Sequence, residues 1–239
     1  MNKLRIAAMS DLHVRTSSVG FYRDIFLELN SKADILVLCG DLTDNGMPEE
    51  AEILAQDLNS LTIPVVGVLG NHDHASDSSV EVKRILTTFG KMYFVDEEPF
   101  EINGVGFAGV KGFCGGFGKY MLGGFGEERL KNFVYETINE SLRLEELLKQ
   151  IKSEKKVVLL HYAPIRETLE GEPLEIYPFM GSSRLEEPIN NYDVTMAFHG
   201  HTHHGKHLGK TTKGIPVYNV SLHVLKNEKP ALNFLIVEV

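Results

Sequence analysis

Cysteine is nearly missing from this chain. Of 239 residues only two are Cys: Cys39 in the apolar run ILVLCG and Cys114 in a glycine-rich stretch. A disulfide framework needs more, so the expected setting is a reducing one, the cytoplasm. Long apolar runs are missing too. The opening MNKLRIAAMSDLH holds one short run, interrupted by Arg5 and closed by Asp11. It is too short and too charged for a signal peptide, and nothing approaches a membrane span. Positive charge is in deficit, with 24 Lys and Arg against 33 Asp and Glu and a net charge of −9. A nucleic-acid partner, which needs a basic face, is therefore disfavoured. Low-complexity tracts, Pro/Ser-rich linkers and internal repeats are also missing. The remaining composition, 43% hydrophobic and 24% charged, is that of a globular protein.

What the chain does have is a repeated local grammar. Short apolar runs rich in β-branched residues end abruptly in polar ones: Leu4–Met9 before SDLH, Ile35–Cys39 before GDLTDNG, Ile63–Leu69 before GNHDH. Such runs read as strands buried on both faces, as in parallel sheets covered by helices. Between them, FYRDIFLELNSK and PEEAEILAQDLNS have helical spacing, with Pro48 and two glutamates opening the second. SVEVKRILTTFG reads as a third helix, capped by Gly90. KMYFVDEEPFEINGVGFAGV suggests antiparallel hairpins, one turning at Asn103-Gly104. A glycine-rich segment, 112–126, leads into a charged amphipathic stretch of one helix or two. The strand grammar returns in KVVLLHYAP and VTMAFHGHTH, and GIPVYNVS and ALNFLIVEV close the chain as two antiparallel strands. The expectation is a single α/β domain over 1–239, with an insertion at about 112–155.

The strand ends carry the chemistry. They deliver Asp11 and His13, then Asp41, then Asn71, His72 and Asp73, later His161, and finally His201 and His203. In open α/β sheets the ligand site lies beyond the carboxyl ends of the strands, so these side chains should converge. An Asp, Asn and His set suits borderline divalent ions such as Mn, Fe or Zn. No thiolate is placed to join it, which argues against a structural zinc. The candidates outnumber the needs of one ion. Two ions about 3.5–4 Å apart would use them all, with Asp41 the natural bridging carboxylate. Two divalent ions against Asp11, Asp41 and one hydroxide leave a net positive centre, which suits a phosphate. A hydroxide bridging the ions is then the expected nucleophile, with His72 beside the leaving oxygen.

In this order the motifs are Asp11-Leu12-His13, Gly40-Asp41, Gly70-Asn71-His72-Asp73, His161 and Gly200-His201-Thr202-His203. The set resembles the calcineurin-like metallophosphoesterase superfamily, and the resemblance runs from Asp11 to His203. It implies a four-layer αββα sandwich with two mixed sheets and a dimetal site at the strand ends. It assigns Asp11, His13, Asp41 and His203 to one metal, and Asp41, Asn71, His161 and His201 to the other. The wording GDLTD and GNHD looks like the phosphodiesterase-leaning branch, which includes cyclic-nucleotide phosphodiesterases. The implied activity is hydrolysis of a phosphomonoester or phosphodiester in a small phosphorylated substrate. A binding scaffold without catalysis and a nuclease are the rivals, and a homo-oligomer is left open.

Other polar residues have plainer readings. Asp44 reads as a turn residue with a role behind the ligands. Asp73 either orients His72 or caps the adjoining turn. His74 reads as a turn residue, and His204 and His207 as polar residues entering the next strand. His199 sits two positions before His201, so alternation could aim both to one side. His223 lies near the same rim. The 112–126 segment contains no phosphate-binding P-loop pattern. It is either a plain connection or a wall over the metals, with Phe113, Phe117 and Tyr120 as stacking faces.

Overall fold

The computed structural model describes residues 3–239. Its first strands are β1 (Arg5–Met9), β2 (Ile35–Cys39), β3 (Val65–Val68) and β4 (Met92–Phe94), laid side by side in parallel. Between them run α1 (Arg23–Lys32), α2 (Pro48–Leu58) and α3 (Ser79–Thr88). A second sheet collects β5 (Phe100–Ile102), β6 (Val105–Val110), β7 (Lys155–Leu160), β8 (Val194–His199), β9 (Leu208–Lys210) and β10 (Pro216–Asn219). Its order is β5-β6-β7-β8-β10-β9, parallel in the middle and antiparallel at both edges. Finally β11 (Leu235–Glu238) crosses back to pair antiparallel with β1 in the first sheet.

Alternation explains why the apolar runs have no polar face. Ala7, Met9, Leu36 and Leu38 point outward and pack under Phe26, Leu29, Leu54 and Ile85 of the first three helices. Ile6, Ala8, Ile35, Val37 and Cys39 point inward against Phe107, Val157, Leu159 and Phe198 of the second sheet. The second sheet repeats the pattern: Ala108, Val110, Val158 and Leu160 face α4 (Glu128–Gln150) and its Leu144, Leu147 and Leu148. Three apolar layers between four structural ones make the αββα sandwich expected from the sequence. Cys39 is fully buried in the middle layer and Cys114 is buried and free.

Several local expectations are resolved or corrected. α4 is one 23-residue helix. The segment 112–155, read as an insertion, supplies through this helix the outer layer of the second sheet, so most of it is integral to the fold. β4 and β5 are not a hairpin, because β4 extends the first sheet and β5 starts the second. The hairpin that does form is β5-β6, turned by Asn103 (φ 50°) and Gly104 (φ 78°), the doubly left-handed geometry this dipeptide favours. The two C-terminal strands also belong to different sheets, separated by α7 (Leu222–Glu228). The expected Gly90 cap is not formed: Phe89 caps α3, and the left-handed residue is Lys91 (φ 54°). The loop EPLEIYPFMGSS holds the short α5 (Tyr177–Met180), and α6 (Glu186–Asn191) follows it. Among the described residues no helix is long and apolar enough to cross a membrane.

Candidate metal centre

Each expected ligand follows its strand within four residues of the strand's carboxyl end, and the parallel pairing brings those ends to one edge of the sandwich. The backbone there is unusual. Asp11 (φ 58°), His13 (φ 44°), Asp41 (φ 49°) and His201 (φ 68°) are all left-handed, half of the non-glycine residues with that backbone among the described residues. Such positions cost about 1–3 kcal/mol each and persist only when their surroundings hold them. Close backbone approach sets the neighbouring glycines. A Cβ on Gly70 would fall 2.2 Å from Asp41 Oδ1, and one on Gly200 would fall 2.6 Å from Asp11 Oδ2. Gly200 is therefore needed for space, and the turn itself is made by His201.

All seven expected ligand residues meet in one cluster. His203 Nε2 lies 3.1 Å from Asp11 Oδ1, with His13 Nε2 4.0 Å from the same oxygen. On the other side His161 Nε2 lies 3.2 Å from Asp41 Oδ1 and 2.9 Å from Asn71 Oδ1. Asp41 spans the two groups, since its Oδ2 is 3.8 Å from His13 Nε2. Donor atoms of Asp11, His13 and His203 lie close enough to share an ion, as do those of Asp41, His161 and His201. A third trio, His13, Asp44 and His72, is equally compact. There Asp44 already answers Arg15, at 3.0 Å.

Two observations show that the cluster suits cations. Both ring nitrogens of His13 are buried without a hydrogen-bond partner, a costly state for polar atoms. At His161, Nδ1 faces the carbonyl of Cys39 at 2.9 Å, which can only accept, so Nδ1 carries the hydrogen. Nε2 then points its lone pair at two more acceptors, Asn71 Oδ1 and Asp41 Oδ1. Only a proton or a metal ion between them makes that arrangement favourable.

The proton affinities agree. Burial alone would lower His161, but the charge and hydrogen bond of Asp41 prevail and raise it to about 9. Burial would raise Asp11 and Asp41, yet the imidazoles facing them hold both below the usual carboxylate range. His201 has no such carboxylate contact, and burial pushes it down to about 3. Burial also lowers His13, whereas the Asp11 hydrogen bond keeps His203 raised.

The two expected catalytic residues diverge. His72 stands at the rim with its side chain 42% exposed. Its Nδ1 is 2.7 Å from the Asp44 carbonyl, its Nε2 is 4.0 Å from Asp41 Oδ2, and its backbone N–H donates to Asp41 Oδ1. Asp73 is fully buried and accepts from the backbone N–H groups of Leu42, Thr43 and Gly70 and from the Thr43 hydroxyl. That is the turn-capping alternative, and the group orienting His72 is the Asp44 carbonyl. Burial, then the charge of Asp41, raises Asp73 to about 6.

His199 is buried away from the cluster, between the Gly200 carbonyl (2.8 Å) and Thr168 Oγ1 (2.9 Å). His207 holds the Asn219 carbonyl. Three contacts escaped the reading of the sequence. The Tyr162 ring lies 4.4 Å from that of His201, the Phe179 carbonyl lies 3.4 Å from His201 Nε2, and His223 stacks on His203 at 4.2 Å. Tyr162 directly follows His161, and His223 had only its nearness to the rim to mark it. In the 112–126 segment, Phe113 packs on Phe133 and Tyr162, Phe117 packs near Tyr177, and Tyr120 is exposed.

Fold and cluster together define an αββα sandwich with metal-ligand chemistry where its parallel strands end. The chain belongs to the calcineurin-like phosphoesterase family, whose model matches residues 4–205. Over 217 residues it is 25% identical to a probable glycerophosphodiester phosphodiesterase, GpdQ, of Arcobacter nitrofigilis, covering 83% of this chain and 71% of that protein. Over 84 residues it is 37% identical to the 3',5'-cyclic-nucleotide phosphodiesterase alr5338 of Nostoc sp., covering 30% of this chain and 32% of that one. Phosphopantetheinyl hydrolase (PptH) from Mycobacterium tuberculosis shares the fold, with a TM-score of 0.69 and 15% identity over 98% of this chain and 96% of that one.

Proposed function

We infer that this protein is a metal-dependent phosphoesterase that hydrolyses a small phosphorylated substrate, phosphodiesters before phosphomonoesters. The observation that carries the reading is the position of Asp41, whose two oxygens face two separate histidine groups. Asp11, His13, Asp41 and His203 would hold one ion and Asp41, Asn71, His161 and His201 a second, drawn from Mn, Fe or Zn. When bound, the pair would neutralise phosphoryl oxygens and ease deprotonation of an attacking water. The phosphodiesterase names of the relatives support placing diesters first.

The chain's own residues set the rest. With Nδ1–H spent on the Asp44 carbonyl, His72 keeps Nε2 for the substrate, and a proton there passes to the leaving oxygen as the ester bond breaks. Asp41 fixes the turn that carries His72 through its bond to the His72 N–H. The Tyr162 ring restrains His201, and the Cys39 carbonyl fixes the tautomer of His161.

The test is a hydrolysis screen of protein loaded with Mn, Fe or Zn. Aryl phosphodiester, cyclic-nucleotide and aryl phosphomonoester substrates are compared, with His72→Ala and Asp41→Asn alongside. Metal-dependent turnover of a diester, lost in Asp41→Asn and reduced in His72→Ala, is expected. A protein that takes up no metal, or whose turnover is indifferent to both substitutions, overturns the reading.

A further inference from the structure

A cavity of about 480 Å³ adjoins the metal-ligand cluster. Leu69 and His74, two of its lining residues, bracket Gly70, Asn71, His72 and Asp73. Lys111 lines it too, and its carbonyl accepts the N–H groups of both His161 and Tyr162 at 3.0 Å. The far walls come from α3 and from Arg143 on α4. Four cations (Lys83, Arg84, Lys111 and Arg143) line the space with only two carboxylates, Asp96 and Glu97. In a chain of net charge −9, that is a local reversal of sign.

Two of the cations are already answered. Lys83 pairs with Asp96 and Glu97, each at 2.8 Å, and Arg84 pairs with Glu81 at 2.7 Å. The other two have no carboxylate at ion-pair distance, although the charges of both reach the buried Glu140. Arg143 has no ion-pair partner among the described residues. Lys111 Nζ reaches the Gly112 carbonyl at 2.9 Å and the rings of Phe113 and Tyr162 at 4.9 and 5.3 Å, but no carboxylate. Burial, and after it the charge of Lys111, lowers the proton affinity of His74 on the same wall.

We propose that this cavity receives a second phosphate group of the substrate, so that the favoured ester is one whose alcohol half itself bears a phosphate. The proposal rests on the phosphoesterase reading and narrows it. A phosphate dianion meets two cations with no carboxylate at ion-pair distance, their shared neighbour being the buried Glu140, and hydroxyls from the two ends of α3, Ser79 at one and Thr87 and Thr88 at the other, line the same space as further donors. An uncharged alcohol would bring no contact anion to Lys111 and Arg143, which share only the buried Glu140. A long polyanion would leave the cavity for a surface of the opposite sign.

Binding and turnover are read separately. Inorganic phosphate is titrated into the metal-free protein while backbone amide resonances are followed. Saturable shifts at Lys111, Arg143 and the first turn of α3 are expected. Arg143→Ala, which removes one exposed charge-assisted contact, should weaken that binding about tenfold. Lys111→Met is the second variant. Absence of shifts at this cavity, or equal affinity in wild type and both variants, overturns the proposal. With the metal-loaded protein, kcat/KM is compared for a diester bearing a terminal phosphate and an uncharged aryl diester. The ratio should fall about tenfold in Arg143→Ala, and an unchanged ratio also overturns the proposal. If no ester is hydrolysed, the phosphoesterase reading fails, while the phosphate titration still decides whether the cavity binds anions.

Discussion

The two sheets bring unlike chemistry to one edge. The first sheet ends in oxygen donors, Asp11, Asp41 and Asn71, with His13 as its only imidazole among the seven expected ligands. The second sheet ends in imidazoles alone, His161, His201 and His203. Strain is divided unequally as well: three left-handed residues stand on the first side and only His201 on the second. Carboxylates alone would repel one another, and imidazoles alone would bring no charge to offset a cation. Neither half is a site by itself. The centre exists at the seam, directly beyond the apolar layer where the two sheets pack, so a bound ion should tie one sheet to the other.

The strongest way to break that seam is Asp41→Asn, which keeps the shape and the bond to the His72 N–H but removes the shared charge. Loss of a residue that merely supports a ligand costs about 10–100-fold in metal affinity. A carboxylate facing both histidine groups should cost more than about 100-fold, measured by metal titration. Retention of full affinity would place the ions elsewhere. Asp73→Ala attacks the same half without touching the seam. It strands three buried backbone N–H groups, and a loss of about 3 kcal/mol in unfolding free energy is expected. Asp41 and Asp73 thus separate by readout, metal affinity for one and stability for the other. A variant at Asp73 that kept its stability and lost only metal would reverse their roles.

That separation marks how far the sequence could be read. The ligand residues were legible because buried parallel strands must be apolar throughout, which leaves their ends as the only place for Asp, Asn and His. Asp41 and Asp73 look alike in the chain, each an acid in a polar turn after a strand. What distinguishes them is whether backbone N–H groups or imidazoles surround the oxygens, a fact of three-dimensional approach. The same limit explains the strand errors. MYF and FEI are adjacent short runs, and nothing local says that the chain changes sheets between them, whereas Asn103-Gly104 carries its own turn geometry. His199 and His201 differ likewise: the left-handed backbone at His201 turns it toward the cluster and leaves His199 in the interior. The cationic cavity was illegible because Lys83, Lys111 and Arg143 come from three distant segments.

If ions join the sheets, the seam should also be visible in stability. At about 100 times the dissociation constant, a metal that binds only the folded chain adds about 2.7 kcal/mol. For a chain of this length that raises Tm by roughly 5–10 °C, and chelator should reverse it. Equal melting with and without metal would leave the two halves uncoupled.

The smallest effect sharpens the contrast inside the second sheet. In the metal-free protein His161 is raised to about 9, so through neutral pH a proton occupies the position between Nε2, Asp41 and Asn71. A metal ligand must be neutral, so an ion displaces this proton, and apparent metal affinity should rise about tenfold per pH unit until about 9. His201, lowered to about 3, is neutral throughout and adds no slope. Stability has the opposite sign. A raised imidazole contributes fully below its unfolded value of about 6.5, and the contribution is lost as pH climbs through 9. The metal-free protein should lose this increment over the interval in which the metal-bound protein gains affinity. Metal titrations and melts at pH 6, 7.5 and 9 measure both. A metal affinity flat across that range would remove His161 from the ligand set.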